Sequence, residues 1–212
     1  MTQPRRVEHI VPHVSLLARR RLSYSMYMPT LRRHWTVEDL EDLPSDGSRY
    51  EVIDGELCVT PAPTLRHQYA IGEMVGRLGE YLKRQPVAFA FPSPVDVQFS
   101  GERLVQPDIV VMPAVAGRRP ETFAEAGRLL LAIEVISPAS ARLDRVGKRD
   151  LYRAEGVEEY WIVDLDSRII ERSVPSDHRV EVLGDQITWN CEGAAEPFVL
   201  DVTDYFARVL DA

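Results

Sequence analysis

The sequence predicts one α/β domain built on a mixed central sheet, and three observations carry that reading. A strand, Asp54-Gly55, strand signature opens the body of the chain, a nearly unbroken apolar run of strand length occupies 129–136, and two amphipathic helical stretches alternate with the strands. With 212 residues, 45% hydrophobic and 27% charged, the chain is long enough to bury a full core, which excludes disorder throughout.

Taken in order, residues 1–27 show no sustained helical or strand period and are punctuated by Pro4, Pro12 and the Arg19-Arg20-Arg21 triplet, so a loosely ordered extension over 1–33 is expected. Nothing there offers an apolar face to bury, and a translation start at Met28 is compatible with folding. Thr36 is placed to cap a short helix with Glu38 and Asp39 in its first turn. Tyr50-Glu51-Val52-Ile53 and Glu56-Leu57-Cys58-Val59-Thr60 flank the Asp-Gly pair and predict a two-residue hairpin turn with positive φ at both central positions. A helix over 64–83 lines up Ile71, Val75, Leu78 and Leu82 on one stripe. Strands follow at 87–91, 95–99, 109–112 and 129–136, then a helix over 143–155 closed by Gly156. A strand at 159–164, further strands at 168–174 and 179–183, and a helix near 204–210 complete the order. Residues 129–136 should lie at the sheet centre beside 109–112, with the two long helices packed on it.

Charge and cysteine content narrow the function classes. Seven arginines against Glu8 give residues 1–33 a local +6, and the remaining 18 basic and 32 acidic groups leave −14 on residues 34–212. An acidic body repels phosphate backbones at long range, which argues against a passive nucleic-acid coat and requires a local basic patch or a metal for any such binding. No apolar run reaches the roughly 18 residues of a membrane span. Cys58 and Cys191 stand far apart with no metal-ligand spacing, which fits a reducing, cytoplasmic setting.

The chemistry is written around a few charged residues. Glu134 interrupts the most apolar strand of the chain, and a buried carboxylate requires a cation or hydrogen-bond donor. An ion pair with a helix arginine and a functional carboxylate are both open readings. Asp108, in Gln106-Pro107-Asp108, stands at the mouth of another apolar strand, where a carboxylate can reach a divalent cation or simply serve a turn. Asp144, Lys148 and Tyr152 recur at four-residue spacing on one helix face, so Lys148 either pairs with Asp144 or brings an ammonium to the carboxylates. Residues 141–154 hold five basic and two acidic groups, a candidate dock for a phosphate backbone. The hairpin register puts Glu51 and Glu56 on one face, as an extension of a metal site or as a solvated face. His67 reads as a cap, a surface residue or a ligand.

Together, Tyr50-Glu51-Val52-Ile53-Asp54-Gly55-Glu56-Leu57, Arg66-His67, Gln106-Pro107-Asp108, Ile133-Glu134-Val135-Ile136-Ser137-Pro138, Asp144, Lys148, Tyr152 and Glu159-Tyr160-Trp161-Ile162-Val163-Asp164 resemble the Uma-type restriction endonuclease family, domain of unknown function 820, over about residues 35–175. The resemblance extends to the PD-(D/E)xK nuclease-like superfamily. It implies a restriction-endonuclease-like mixed sheet flanked by helices over 34–212, and Mg²⁺- or Mn²⁺-dependent hydrolysis of phosphodiester bonds. Asp108 matches the motif aspartate and Glu134 the motif acid, while Ile136 stands where the motif lysine belongs and Lys148 takes its place from the following helix. The expected metal ligands are Asp108, Glu134 and the Val135 carbonyl, and the expected catalytic set is Asp108, Glu134, Lys148, Glu51 and Tyr152, with Lys148 positioning water. Nucleic acid, DNA ahead of RNA, is the expected partner, without a membrane, and a homodimer is compatible with this reading. The competing reading is a catalytically inactive nuclease-like scaffold that binds nucleic acid or a protein partner. On the catalytic reading, Lys148→Ala leaves the fold intact and cuts turnover by about 10² or more, and Asp144→Ala does much less.

Overall fold

The computed structural model describes residues 34–211; the arginine-rich extension and the start at Met28 lie outside the described residues. A six-stranded mixed sheet has the order β10-β9-β8-β7-β6-β3, with β3 Ala88–Pro92, β6 Ile109–Pro113, β7 Leu131–Ile136, β8 Glu159–Asp164, β9 Ile169–Val174 and β10 Asp177–Leu183. Only β7 and β8 run parallel, Ile133 opposite Trp161, and the other neighbours are antiparallel. The predicted central strand is therefore central, one place from β6, as expected of an apolar run that must be covered on both faces.

The alternation along β7 divides the core. Leu131, Ile133 and Val135 face α1 (Leu65–Arg84) and α4 (Val202–Leu210), packing with Met74, Leu78, Trp161, Tyr205 and Phe206. Ala132 and Ile136 face the other way, toward Leu151, Tyr152 and Tyr160, and Glu134 shares their side of the strand. Each wholly buried aliphatic here contributes roughly 1.5 to 3 kcal/mol. The α1 stripe holds Ile71, Leu78 and Leu82 as predicted, joined by Met74 and Tyr81, with Val75 at the edge of the core. Its N-cap is Thr64, whose hydroxyl accepts from the His67 N–H.

A four-stranded antiparallel sheet, β2-β1-β5-β4, supplies part of the second face; it comprises β1 Arg49–Ile53, β2 Glu56–Thr60, β4 Val97–Ser100 and β5 Arg103–Val105. The hairpin register is the predicted one, Ile53 opposite Glu56 and Glu51 opposite Cys58, with φ of 52° at Asp54 and 78° at Gly55. The two glutamates nevertheless part: Glu51 is fully buried, accepting from the Gln106 N–H, whereas Glu56 beside the turn is exposed and extends no site.

Three further differences are informative. The second long helix begins as a wide π turn, Leu143–Lys148, before continuing as α3 (Arg149–Ala154) to Gly156 at φ 71°. The short helix Glu38–Asp42 is a 3-10 turn in which the Asp39 carboxylate accepts from the Thr36 N–H, the reverse of a threonine cap. Among the described residues, strands β11 (Gln186–Trp189) and β12 (Phe198–Asp201) pair only with each other, and four-residue strands are too short to show a period. A short helix, α2 (Phe123–Ala126), precedes β7. No described helix is long and apolar enough to cross a membrane.

Candidate active site

Strand ends and one π turn converge on a cleft of about 140 Å³, lined among others by Arg49, His67, Asp108, Glu134, Asp144 and Lys148. Asp108 immediately precedes β6, at the point where β7 runs on without its neighbour. The Val135 N–H, left without a strand partner on that side, donates to Asp108 Oδ2 at 2.8 Å, so a ladder gap is what locks the carboxylate in place. His67 Nε2, from the first turn of α1, stands 3.1 Å from the same oxygen. Arg49 Nη2, at the start of β1, donates to Asp108 Oδ1 at 2.8 Å and to Ser93 Oγ at 3.2 Å. Burial raises the Asp108 carboxyl, but His67 and Arg49 outweigh it and hold it at about 2.

Glu134 lies on the same side. Its Oε1 accepts from Lys148 Nζ at 2.8 Å and from the Tyr152 hydroxyl at 3.2 Å, and its Oε2 is 3.8 Å from Arg49 Nη1. One guanidinium thus reaches both carboxylates. Lys148 also touches Glu51 Oε1 at 2.8 Å and stands 3.8 Å from Asp144 Oδ1, so three acids surround an ammonium that is 2% exposed. The π turn widens the helix where Asp144 and Lys148 must both face inward, a form of backbone common at functional sites. Burial pushes the Glu134 carboxyl well up, with the neighbouring Asp108, Asp144 and Glu51 adding to it against Lys148. Asp144 is also raised, by burial first. Burial disfavours the Lys148 ammonium, yet the Glu134, Glu51 and Asp144 carboxylates more than compensate and its proton is held firmly.

The five predicted catalytic residues are all brought together, in two layers. Asp108, Glu134 and Lys148 line the cleft, and so does Val135. Glu51 and Tyr152 lie behind them, each buried and bonded to a lining residue. The Lys148 and Asp144 pair is a buried contact and not a helix-surface one. That burial revises the expectation that Lys148→Ala leaves the fold intact, since it strips two carboxylates of their cation.

Arg49 and His67 complete the site. Arg49 carries no local signal, because its partner Asp108 lies 59 positions away. His67, open in sequence as a cap, a surface residue or a ligand, is a carboxylate partner, and a histidine three residues after a capping threonine was the one available hint. The predicted phosphate dock over 141–154 is different: Arg145 is paired with Asp164 and Glu171, Arg149 with Glu171, Arg153 with Asp150, and Lys148 with the cleft acids, so four of its five cations already have partners.

The donor set fits a hard divalent cation. Four carboxylates, Glu51, Asp108, Glu134 and Asp144, face the permanent cations Arg49 and Lys148, and buried Glu51 Oε2 has no hydrogen-bond partner among the described residues. Among the described residues no three His, Cys, Asp or Glu side chains form a ready metal cage. Arg49 stands between the two carboxylates best placed to build one.

Comparison with known proteins agrees with this architecture. The Uma2 family, described as "Putative restriction endonuclease", matches residues 37–202. A solved structure from Anabaena variabilis, a "putative nuclease" of domain of unknown function 820, is similar in fold, with a TM-score of 0.66, 21% identity, and coverage of 83% of this chain and 99% of that one. No curated protein matches. With the match spanning the hairpin, the central strand and every residue of the cleft, the chain belongs to the Uma2 family of restriction-endonuclease-like proteins.

Proposed function

We propose that the chain is a divalent-metal-dependent endonuclease that hydrolyses phosphodiester bonds of nucleic acid, DNA ahead of RNA, in the cytoplasm. The carrying observation is that Asp108, just before β6, and Glu134, on β7, share one cleft and one guanidinium, with the Lys148 ammonium on Glu134. Restriction-endonuclease family membership favours DNA, and two free cysteines suit a reducing compartment.

Asp108, Glu134 and the Val135 carbonyl would hold Mg²⁺ or Mn²⁺. The bound ion supplies Lewis-acid polarisation of a phosphoryl oxygen and a more acidic water. The chain's own groups do the rest. Lys148, its proton held by three carboxylates, is no general base; it orients Glu134, positions water and offsets negative charge gathering on the phosphoryl group. Glu51 anchors Lys148 and Tyr152 donates to Glu134, so both act as positioning residues. His67 holds Asp108.

The test is calorimetric titration of the full chain with Mn²⁺, beside a cleavage assay on single- and double-stranded DNA and RNA. Metal binding and metal-dependent cleavage should both vanish in Asp108→Asn and Glu134→Gln. Tyr152→Phe should retain binding and lose turnover by about 10-fold or less. A chain that binds no Mn²⁺ and cleaves nothing is the inactive scaffold instead.

A further inference from the structure

Arg49 stands against both carboxylates that would hold the proposed ion. Its guanidinium is 2.8 Å from Asp108 Oδ1 and 3.8 Å from Glu134 Oε2, it lines the cleft, and its side chain is 14% exposed. The two contacts are unequal, a full hydrogen bond on Asp108 and a long charge contact on Glu134. The grip on Glu134 is the loose one. A small hard cation approaches carboxylate oxygens at about 2.0 to 2.1 Å, so it competes with Arg49 for the same oxygens while repelling it. An ion on these oxygens loosens the guanidinium's hold on the pair. The displaced group stays tethered to β1 at the cleft edge, a planar fork of donors matched to a phosphate's paired oxygens.

We propose that Arg49 is the exchangeable cation of this site: it rests on Asp108 and Glu134 until a divalent ion takes them, and then binds the substrate's phosphodiester. The proposal rests on the metal-dependent reading above. It explains why the carboxylates are held together before any ion arrives. It also assigns Arg49 two effects of opposite sign. Removing it frees the carboxylates for metal and takes a donor from the phosphate, a combination that neither a metal ligand nor a purely structural arginine produces.

The test measures the two effects separately on the full chain. By calorimetry, Arg49→Ala should bind Mn²⁺ about tenfold tighter or better than the parent chain. In fluorescence anisotropy with Ca²⁺ present, the same variant should bind a labelled DNA oligonucleotide about tenfold more weakly or worse. Arg49→Gln, which keeps an amide donor for Asp108 without the charge, should move both in the same directions and decides the matter if the alanine variant does not fold. Unchanged or weakened Mn²⁺ affinity in these variants, while Asp108→Asn abolishes binding to the parent, overturns the exchange and leaves the metal reading standing. Tighter Mn²⁺ binding with unchanged oligonucleotide affinity overturns it too. Absence of Mn²⁺ binding in the parent and the arginine variants alike removes the metal reading and this inference with it.

Discussion

Two ion-pair clusters flank neighbouring strands of the same sheet, and they are balanced differently. Along β8 and β9, Arg145 meets Asp164 at 2.8 Å and Glu171 at 2.6 Å, Arg149 meets Glu171 at 2.9 Å, and Arg172 meets Glu159 at 2.8 Å. Three arginines there answer three buried carboxylates on the strands, and Arg172 also meets the exposed Glu181 of β10 at 3.3 Å. Around β7, Arg49 and Lys148 answer four carboxylates, with His67 on one of them. Residue types and spacings are much alike, so neither composition nor a local motif separates the two. The excess of buried acid beside a cleft does, because a surplus of buried carboxylates needs a further cation or bound protons whereas a charge-matched set needs neither.

The sharpest way to break the unbalanced cluster is to take away its buried ammonium. Lys148→Ala leaves Glu51 and Glu134 in the interior without it, and a loss of about 3 to 5 kcal/mol in denaturant unfolding is expected. Near-parental stability would show that the acids neutralise themselves by taking up protons. In the balanced cluster, Glu171→Gln removes the acid from Arg149 while Arg145 keeps Asp164, and the loss should be only about 1 kcal/mol with Mn²⁺ titration unchanged. A Glu171→Gln variant that altered metal binding would join the two clusters into one.

Smaller effects sharpen the contrast further. Cys58 lies near the unbalanced cluster, and burial followed by the Glu51 charge pushes its thiol up to about 11. Cys191, away from it, is pushed to about 11 by burial and then Glu158. Both should therefore react slowly with a disulfide reagent at pH 8, where little thiolate exists, and at the ordinary rate once the chain is unfolded. Fast reaction of Cys58 alone would mean that the hairpin opens. The smallest effect is expected from the extension: a chain begun at Met28 should melt at the full chain's temperature, and a clear drop or precipitation would give residues 1–27 a folding role.

Much of the scaffold was legible because its signals are short-range. Asp54-Gly55 set the turn and so the register of β1 on β2; the apolar run through Glu134 marked a strand covered on both faces; the stripe from Ile71 to Leu82 marked α1. The paired acids Asp108 and Glu134 were legible for a related reason, since a carboxylate amid an apolar strand, or at its mouth, announces a partner even when the partner is unnamed.

The partners were decided by tertiary structure. The approach of the four-stranded sheet to the six-stranded one brings Arg49 to Asp108, the end of β6 leaves the Val135 N–H for that same carboxylate, and the first turn of α1 delivers His67. Burial separated Glu51 from Glu56, which share a hairpin face, and pairing with Asp164 and Glu171 neutralised arginines that looked free in sequence. Hydrophobic period and turn chemistry act over a few neighbouring residues, so the chain itself states them. Charge compensation acts between groups tens of positions apart, so the sequence determined which charges would need an answer, and only the packed sheet decided which groups answered them.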